Sequence, residues 1–186
     1  MAMSTSEIGT VLFVVTGLLV LVQIPVLAAV IKLLGARLTF CLSALIQAIL
    51  IPLLPVISTI EDRVTLWVLL CTHSFVVWLL MMASFLSVNV LINNSIGSQL
   101  NATANAIGYT CAALGRILSP LVFAPLYSWS LTNGISSKKE TFLHGFPWNH
   151  YFAFLVWALV LVIISCLGTM VSKNADKKLG VHKSVQ

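Results

Sequence analysis

The chain has 186 residues, of which 59% are hydrophobic and 8% charged, and its mean hydropathy is +1.04. Water-soluble domains are roughly 45–50% apolar and about 25% charged, so this composition excludes an ordinary soluble protein. It predicts an all-α, polytopic bundle of transmembrane helices in contact with membrane lipid. The net charge of +5 comes from basic residues scattered over loops and tail. Without a basic stripe, that charge is typical of juxtamembrane anchoring and argues against a nucleic-acid partner.

Five apolar segments are each long enough to cross a bilayer, which takes about 20 helical residues. The predicted spans are residues 8–34, 38–57, 64–92, 104–130 and 151–171. Together they form one transmembrane domain over residues 1–172, followed by a basic cytoplasmic tail at 173–186. Near the start, Ser4, Thr5 or Ser6 can cap the first helix. Pro52 and Pro55 should kink or end the second span.

The third and fourth spans are separated by a polar, amide-rich segment, residues 93–105, which we predict to be a loop. Beyond it, small residues recur with spacings of four, four, three and four. They are Ala104, Gly108, Ala112, Gly115 and Ser119. At 100° per residue these positions share one helix face, where small side chains let a neighbouring helix approach closely. Tyr109, Arg116 and Tyr127 lie about a quarter turn away.

The stretch from Asn89 to Trp129 resembles helix 10, the 10–11 loop and helix 11 of major facilitator superfamily transporters. The resemblance rests on an Asn-Asn pair at a helix end, a polar linker, Ala-Asn-Ala, Leu-Gly-Arg-x-x-x-Pro and Tyr-Ser-Trp-Ser. Within that superfamily the chain is most similar to the zinc-induced-facilitator-like branch, which in turn resembles the multidrug antiporters. That branch usually has Arg-Gly at the position of Asn101-Ala102, and Gly-Pro at the position of Ser119-Pro120.

The resemblance implies that the five spans are helices 8 to 12 of a twelve-helix facilitator, a partial C-terminal half without helix 7 or the N-terminal half. The chain would then be a fragment of a secondary transporter that moves a small solute by alternating access and is proton-coupled by family analogy. No Asp or Glu lies inside a predicted span, so a proton-carrying carboxylate would belong to the missing half. In that family the loop between helices 8 and 9 carries a sequence signature that consists of a glycine, an acidic residue and a Gly-Arg pair. Gly35 and Arg37 fit it roughly, but Lys32 occupies the acid position.

Arg116 is the only charged side chain well inside a predicted span. A guanidinium at the bilayer centre costs about 2.5–3.5 kcal/mol on insertion scales, so it normally faces a partner or a watery cavity. One hypothesis is that Arg116 lines the substrate cavity with Tyr109 and Asn89, where it would suit an anionic or amphiphilic solute, or an acid in the missing half. The alternative is that Arg116 reaches the interface or bonds backbone carbonyls, and only holds its helix in place.

A second functional interpretation is a non-transporting five-span protein that packs against or regulates a partner membrane protein. The small-residue face of the fourth span would allow such packing. Both interpretations are compatible with the plasma membrane and with a vacuolar or endosomal membrane.

Enzymatic chemistry has no support in the motifs of this sequence. It contains no G-x-S-x-G, H-E-x-x-H or Walker sequence, and no paired carboxylates. The four cysteines fall one to an apolar segment, which favours packing over a redox or metal role. His144, His150 and Glu140 match no metal-binding spacing. We therefore predict no enzyme activity, no cofactor and no metal site.

The distribution of charge predicts the orientation of the chain. Six Lys or Arg fall on the side of the 34–38 turn, the amide-rich segment and the tail, against three on the other side. By the positive-inside rule the first side is cytoplasmic. The glycosylation sequons at Asn93 and Asn101 would then lie out of reach of the glycosylation machinery.

We accordingly expect both sequons to remain unmodified. Expression in microsomes followed by a glycosidase mobility assay checks this, because an attached glycan retards the band until it is cleaved. A shift assigned to Asn101 would invert the predicted topology.

Overall fold

A computed structural model of the chain describes residues 4–96, 98–135 and 151–171. Within these ranges it contains α-helices and two 3-10 turns, and no strand. The helices are α1 (Thr5–Leu34), α2 (Ala36–Leu50), α3 (Leu54–Ile57), α4 (Arg63–Ser95), α5 (Asn101–Ile135) and α6 (Phe152–Met170). The all-α fold class is therefore confirmed. The predicted tail and most of the connection between the fourth and fifth spans lie outside the described residues.

Five helical segments among the described residues are long and apolar enough to cross a membrane. They are Thr5–Leu34, Ala36–Ile57, Arg63–Ser95, Asn101–Leu131 and Phe152–Met170. This confirms a multi-pass transmembrane protein. Each predicted span corresponds to one of these segments, with ends that differ by a few residues because caps and polar side chains extend the helices.

Capping residues fix the starts of α1 and α4. Ser4 accepts a hydrogen bond from the Glu7 amide while the Glu7 carboxylate accepts one from the Ser4 amide, which forms a capping box. Asp62 accepts a hydrogen bond from the Thr65 amide at 2.8 Å. Hydrogen bonding by the Thr65 side chain, and then by its amide, lowers the pKa of the Asp62 carboxyl. The Arg63 guanidinium pairs with the Glu7 carboxylate. The first turns of α1 and α4 therefore lie side by side at one end of the bundle.

Glycine and proline place the two breaks around α2. Gly35 has φ 81° and ψ 157°, a backbone conformation that is strained for any residue with a side chain. The chain reverses direction at this residue, between α1 and α2. At the other end, α2 gives way to a 3-10 turn at Ile51–Leu53 and then to α3. Pro52 and Pro55 lack the amide hydrogens that a continuous α-helix would need there. The predicted break in the second span is therefore present.

Helix α2 lies at the centre of the bundle, in contact with α1, α4 and α6, while α1 also packs on α4. Polar side chains join α2 to α4: the Ser43 and Ser84 hydroxyls are 2.6 Å apart, and Gln47 donates to Ser84 at 3.3 Å. On the opposite side of α2, Ser165 of α6 donates to the Cys41 carbonyl at 2.9 Å. These bonds are buried or partly buried, where lipid offers no competing partner.

The α2–α6 crossing is closest at Gly168. A Cβ atom placed there would lie 2.7 Å from Phe40 Cδ1 and 2.9 Å from Cys41 Sγ. Arg37 lies beside the same turn and donates to the carbonyls of Gly168, at 3.5 Å, and Thr169. These are carbonyls at the end of α6, so a cation complements the helix dipole there.

The amide-rich segment is shorter as a loop than the sequence predicted. Residues 93–105 were expected to be a loop, but α4 continues through Ser95 and α5 already begins at Asn101. The Ser95 hydroxyl donates to the Leu91 carbonyl at 2.7 Å, and Asn105 donates to Asn93 at 2.8 Å across the break. Because these polar side chains form hydrogen bonds within or between helices, both helices can extend into the amide-rich segment.

Gly168→Ala should destabilise the bundle by about 1–3 kcal/mol, because the added methyl overlaps Phe40 and Cys41. Gly115→Ala is the matched control, since a Cβ atom there meets nothing within 4 Å. That variant should keep or gain up to about 1 kcal/mol from helix propensity. Thermal unfolding of both variants in detergent measures the difference. Equal stability of the two would contradict the close α2–α6 crossing.

Candidate site on helix α5 and the cavity beside it

The first part of α5 is attached to α4 near the chain reversal. Asn105 donates to Asn93 at 2.8 Å, and a Cβ atom at Gly108 would lie 3.4 Å from Ile92 Cδ1. Tyr109 is the residue after Gly108, and its ring centroid lies 6.4 Å from that of Phe85. The small residue at 108 thus lets the two helices come close at this end.

The last part of α5 is attached to α6 by aromatic pairs. Ring centroids are 4.9 Å apart for Phe123–Trp157, 5.9 Å for Tyr127–Phe154 and 5.5 Å for Trp129–Phe152. The α5 numbers rise as the α6 numbers fall, so the two helices run antiparallel. Tilted and edge-to-face geometries of this kind are favourable for aromatic pairs.

Between these two attachments the middle of α5 is unpacked. Gly115 has open space where a Cβ atom would be, and both Gly115 and Arg116 are exposed. Among the side chains described between residues 101 and 131, only that of Ser130 is buried. Arg116 makes no hydrogen bond or ion pair with the described part of the chain. Helix α5 therefore spans the bundle surface and touches it at two ends.

The three residues proposed from sequence to line one cavity are only partly brought together. Asn89 donates to the Phe85 carbonyl at 3.0 Å, within its own helix, and Tyr109 contacts the Phe85 ring. Arg116 lies two helical turns beyond Tyr109. Asn89, Tyr109 and Arg116 do not line the aromatic cavity described below, nor the smaller cavities between α1, α2 and α4 and at the start of α4.

The predicted packing and loop residues are placed in different surroundings. Gly108 contacts Ile92, Ala112 and Ser119 are half-buried, and Gly115 is open. Gly35 forms the α1–α2 reversal. Arg37, which the family resemblance placed in a loop signature, instead bonds the end of α6.

A cavity of about 420 Å³ lies among α4, α5, α6 and the α2–α3 break. Five aromatic side chains contribute to its lining: Trp78, Phe123, Tyr127, Phe154 and Trp157. Polar groups are few, and they include His73 and Ser74. Its volume falls in the range of small-molecule sites, roughly 300–1,000 Å³, and its lining suits an apolar or aromatic molecule or a lipid chain.

His73 in this cavity has a structural partner. Its Nε2 atom lies 3.0 Å from the Leu50 carbonyl, and since a carbonyl only accepts, Nε2 carries the hydrogen. Leu50 is the N-cap of the 3-10 turn at Ile51–Leu53, so its carbonyl also accepts the first hydrogen bond of that turn. His73 therefore adds a second hydrogen bond to this carbonyl and joins α4 to the α2–α3 break.

The α2–α4 polar network was missed by the sequence reasoning. Ser43 and Gln47 are four residues apart on α2, and Ser84 faces them from α4. Polar residues at helical spacing inside apolar spans were the available signal. Three further buried atoms lack a hydrogen-bond partner within the described chain: Ser87 Oγ, Asn94 Nδ2 and Asn101 Oδ1.

Within the described ranges, no three His, Cys, Asp or Glu side chains form a cluster that could bind a metal ion. The cysteines described are all unpaired, and they lie on different spans. Comparisons with protein-family models, curated proteins and solved structures returned no match to this chain.

His73→Leu should lower the thermal stability of the protein by about 1 kcal/mol, because the Leu50 carbonyl would lose this second donor in a partly buried position. His73→Gln is the matched control, since its amide can donate in the same direction. Unfolding in detergent, followed by tryptophan fluorescence, compares the two variants. If His73→Leu is as stable as the parent, the hydrogen bond has no structural importance.

Proposed function

We propose that this chain forms five helices of the C-terminal domain of a major facilitator superfamily carrier, most similar to the zinc-induced-facilitator-like branch. In that role it moves a small solute by alternating access, together with a facing set of helices. The proposal rests on the residues of α4 and α5 that resemble the family, and on one structural observation. That observation is the unpacked middle of α5, where Arg116 bonds none of the described residues.

The exposed middle of α5 supports this proposal because carriers of this kind place their substrate site between two facing bundles near the bilayer midplane. A helix that lines such a site is covered by its own bundle on only part of its surface. Helix α5 meets that description better than α2, which is enclosed by three helices. Arg116 and Tyr109 then face the region between the two bundles.

The electrostatics of this surface favour an anionic or amphiphilic solute. A guanidinium in a region of low dielectric attracts a carboxylate or phosphate strongly, and a tyrosine adds a hydroxyl and an aromatic face. Proton coupling requires a titrating group, and the described spans carry no acid except Glu7 in the first turn of α1. The coupling carboxylate therefore belongs to the facing bundle in this proposal.

A second candidate is a five-span protein that packs against or regulates another membrane protein without transport. The observation that favours it is the extent of packing around α2. Helix α1 packs on α2 and α4, while buried polar bonds join α2 to α4 and α6 and a close glycine contact joins α2 to α6. Such a unit can serve as a scaffold.

The carrier proposal is tested by reconstituting the chain in lipid vesicles with the seven remaining helices of a zinc-induced-facilitator-like carrier. Amphiphilic organic anions are added outside, and a trapped pH-sensitive dye reports coupled proton movement. Arg116→Ala should reduce the flux about tenfold or more, equivalent to about 1.4 kcal/mol or more of lost solute interaction. Arg116→Lys should retain part of it, because the charge remains but the forked geometry is lost.

Arg63→Ala is the control, since Arg63 lies at the start of α4 and pairs with Glu7. Exposed ion pairs contribute little, so this variant should transport like the parent. Equal flux for Arg116→Ala and the parent would remove Arg116 from the transport site. An assembled complex that moves none of the anions would favour the scaffold candidate.

A further inference from the structure

Arg116 lies near the middle of its transmembrane helix. It is fifteen residues from Asn101, where α5 begins, and nineteen from Ile135, where α5 ends. At 1.5 Å per residue these distances are about 22 and 28 Å, whereas half of the hydrocarbon core is about 15 Å. A centred helix therefore holds the guanidinium near the bilayer midplane.

The surroundings of Arg116 are lipid-facing and apolar. Its sequence neighbours Ile117 and Leu118 are 62% and 57% exposed, and Gly115 has open space beside it. The guanidinium finds no partner among the described residues. Charged groups at this depth pair with one another or face water, because hydrocarbon cannot solvate them.

The described spans carry no acid that could meet Arg116 from a second copy of them. Glu7 is in the first turn of its span, and Glu61 and Asp62 lie between two spans. Glu140 and Asp176 lie outside the described residues. A carboxylate at the depth of Arg116 therefore has to come from a segment other than these five spans.

We propose that the middle of α5 binds a transmembrane helix of a partner protein that carries an Asp or Glu at the depth of Arg116. We define the mid-α5 surface as Ala112, Gly115, Arg116 and Ser119. The inference rests on the geometry of α5 and does not require the chain to transport a solute.

The mid-α5 surface can seat a helix in the open space between the two attachments of α5. Ala112, Gly115 and Ser119 are spaced three and four residues apart on the face that also carries Gly108. Ala112 and Ser119 are half-buried, and Gly115 has nothing within 4 Å of its Cβ position. Small residues at this spacing allow two backbones to approach closely in a membrane. Arg116 borders the same face, so a helix seated at Gly115 brings a carboxylate within hydrogen-bonding distance of the guanidinium.

The inference is tested with designed single-span helices, rich in leucine and alanine, that differ only at their central residue. One carries Glu, one Gln and one Leu. Each is labelled with a fluorophore and mixed in lipid vesicles with the full chain, labelled on its C-terminal tail. Energy transfer should report association of the Glu helix about 3- to 30-fold tighter than that of the Gln or Leu helix.

A pair of exchanged residues provides the matched control. The double variant Arg116→Ile with Ile117→Arg keeps composition and depth but turns the guanidinium about 100° around the helix. It should lose the preference for the Glu helix. Gly115→Leu should weaken association of the Glu helix while the chain alone keeps its thermal stability, because Gly115 contacts nothing in the bundle.

Three results would overturn the inference. The Glu and Gln helices could associate equally, or the exchanged variant could keep the full preference for Glu. The chain could also self-associate without an added helix in a way that Gly115→Leu abolishes, which would assign the surface to a second copy.

Discussion

A lipid environment requires every polar group in the spans to find its partner inside the protein, and α2 shows how this chain meets that requirement. Its side chains Ser43 and Gln47 bond Ser84 of α4, and its Cys41 carbonyl accepts from Ser165 of α6. At the proline break, His73 of α4 donates to the Leu50 carbonyl. Without these bonds the association of α2 with its neighbours would rely on van der Waals packing alone, since lipid tails compete for apolar contact.

Two arginines illustrate the same constraint with opposite outcomes. Arg37 lies near the end of a span, where the final carbonyls of α6 are available and the helix dipole favours a cation. Arg116 lies near the middle of α5, where its guanidinium bonds no described residue. Pro120 and Pro125 lack the amide hydrogens that would bond the carbonyls four residues before them in this helix. The residue type is identical, but only the guanidinium of Arg37 reaches the end of a neighbouring helix.

The number of spans could be predicted because hydrophobic length is a local property. So could a cap among Ser4, Thr5 and Ser6, and the break at Pro52 and Pro55. The neighbours of each helix could not be predicted, because the apolar spans of a single sequence resemble one another. The loop at 93–105 was predicted too long, since Ser95 bonds within α4 and Asn105 bonds Asn93 across the break. The cavity is lined by Tyr127 but not by Arg116. Its position depends on which side chains of α5 face α6, as Tyr127 does, and the sequence alone does not show this.

Helix α5 is the element that the rest of the described chain determines least. A side-chain hydrogen bond, a glycine contact and a ring pair join its first part to α4, and aromatic pairs join its last part to α6. Segments with few buried contacts open at the lowest free energy, so the middle of α5 can adjust to a segment that covers it. Because Arg116 bonds none of the described residues and a Cβ atom at Gly115 meets nothing within 4 Å, we expect their replacement to leave the packing of α2 with α4 and α6 unchanged. A loss of transport or of helix association in such variants is therefore attributable to the missing contact itself.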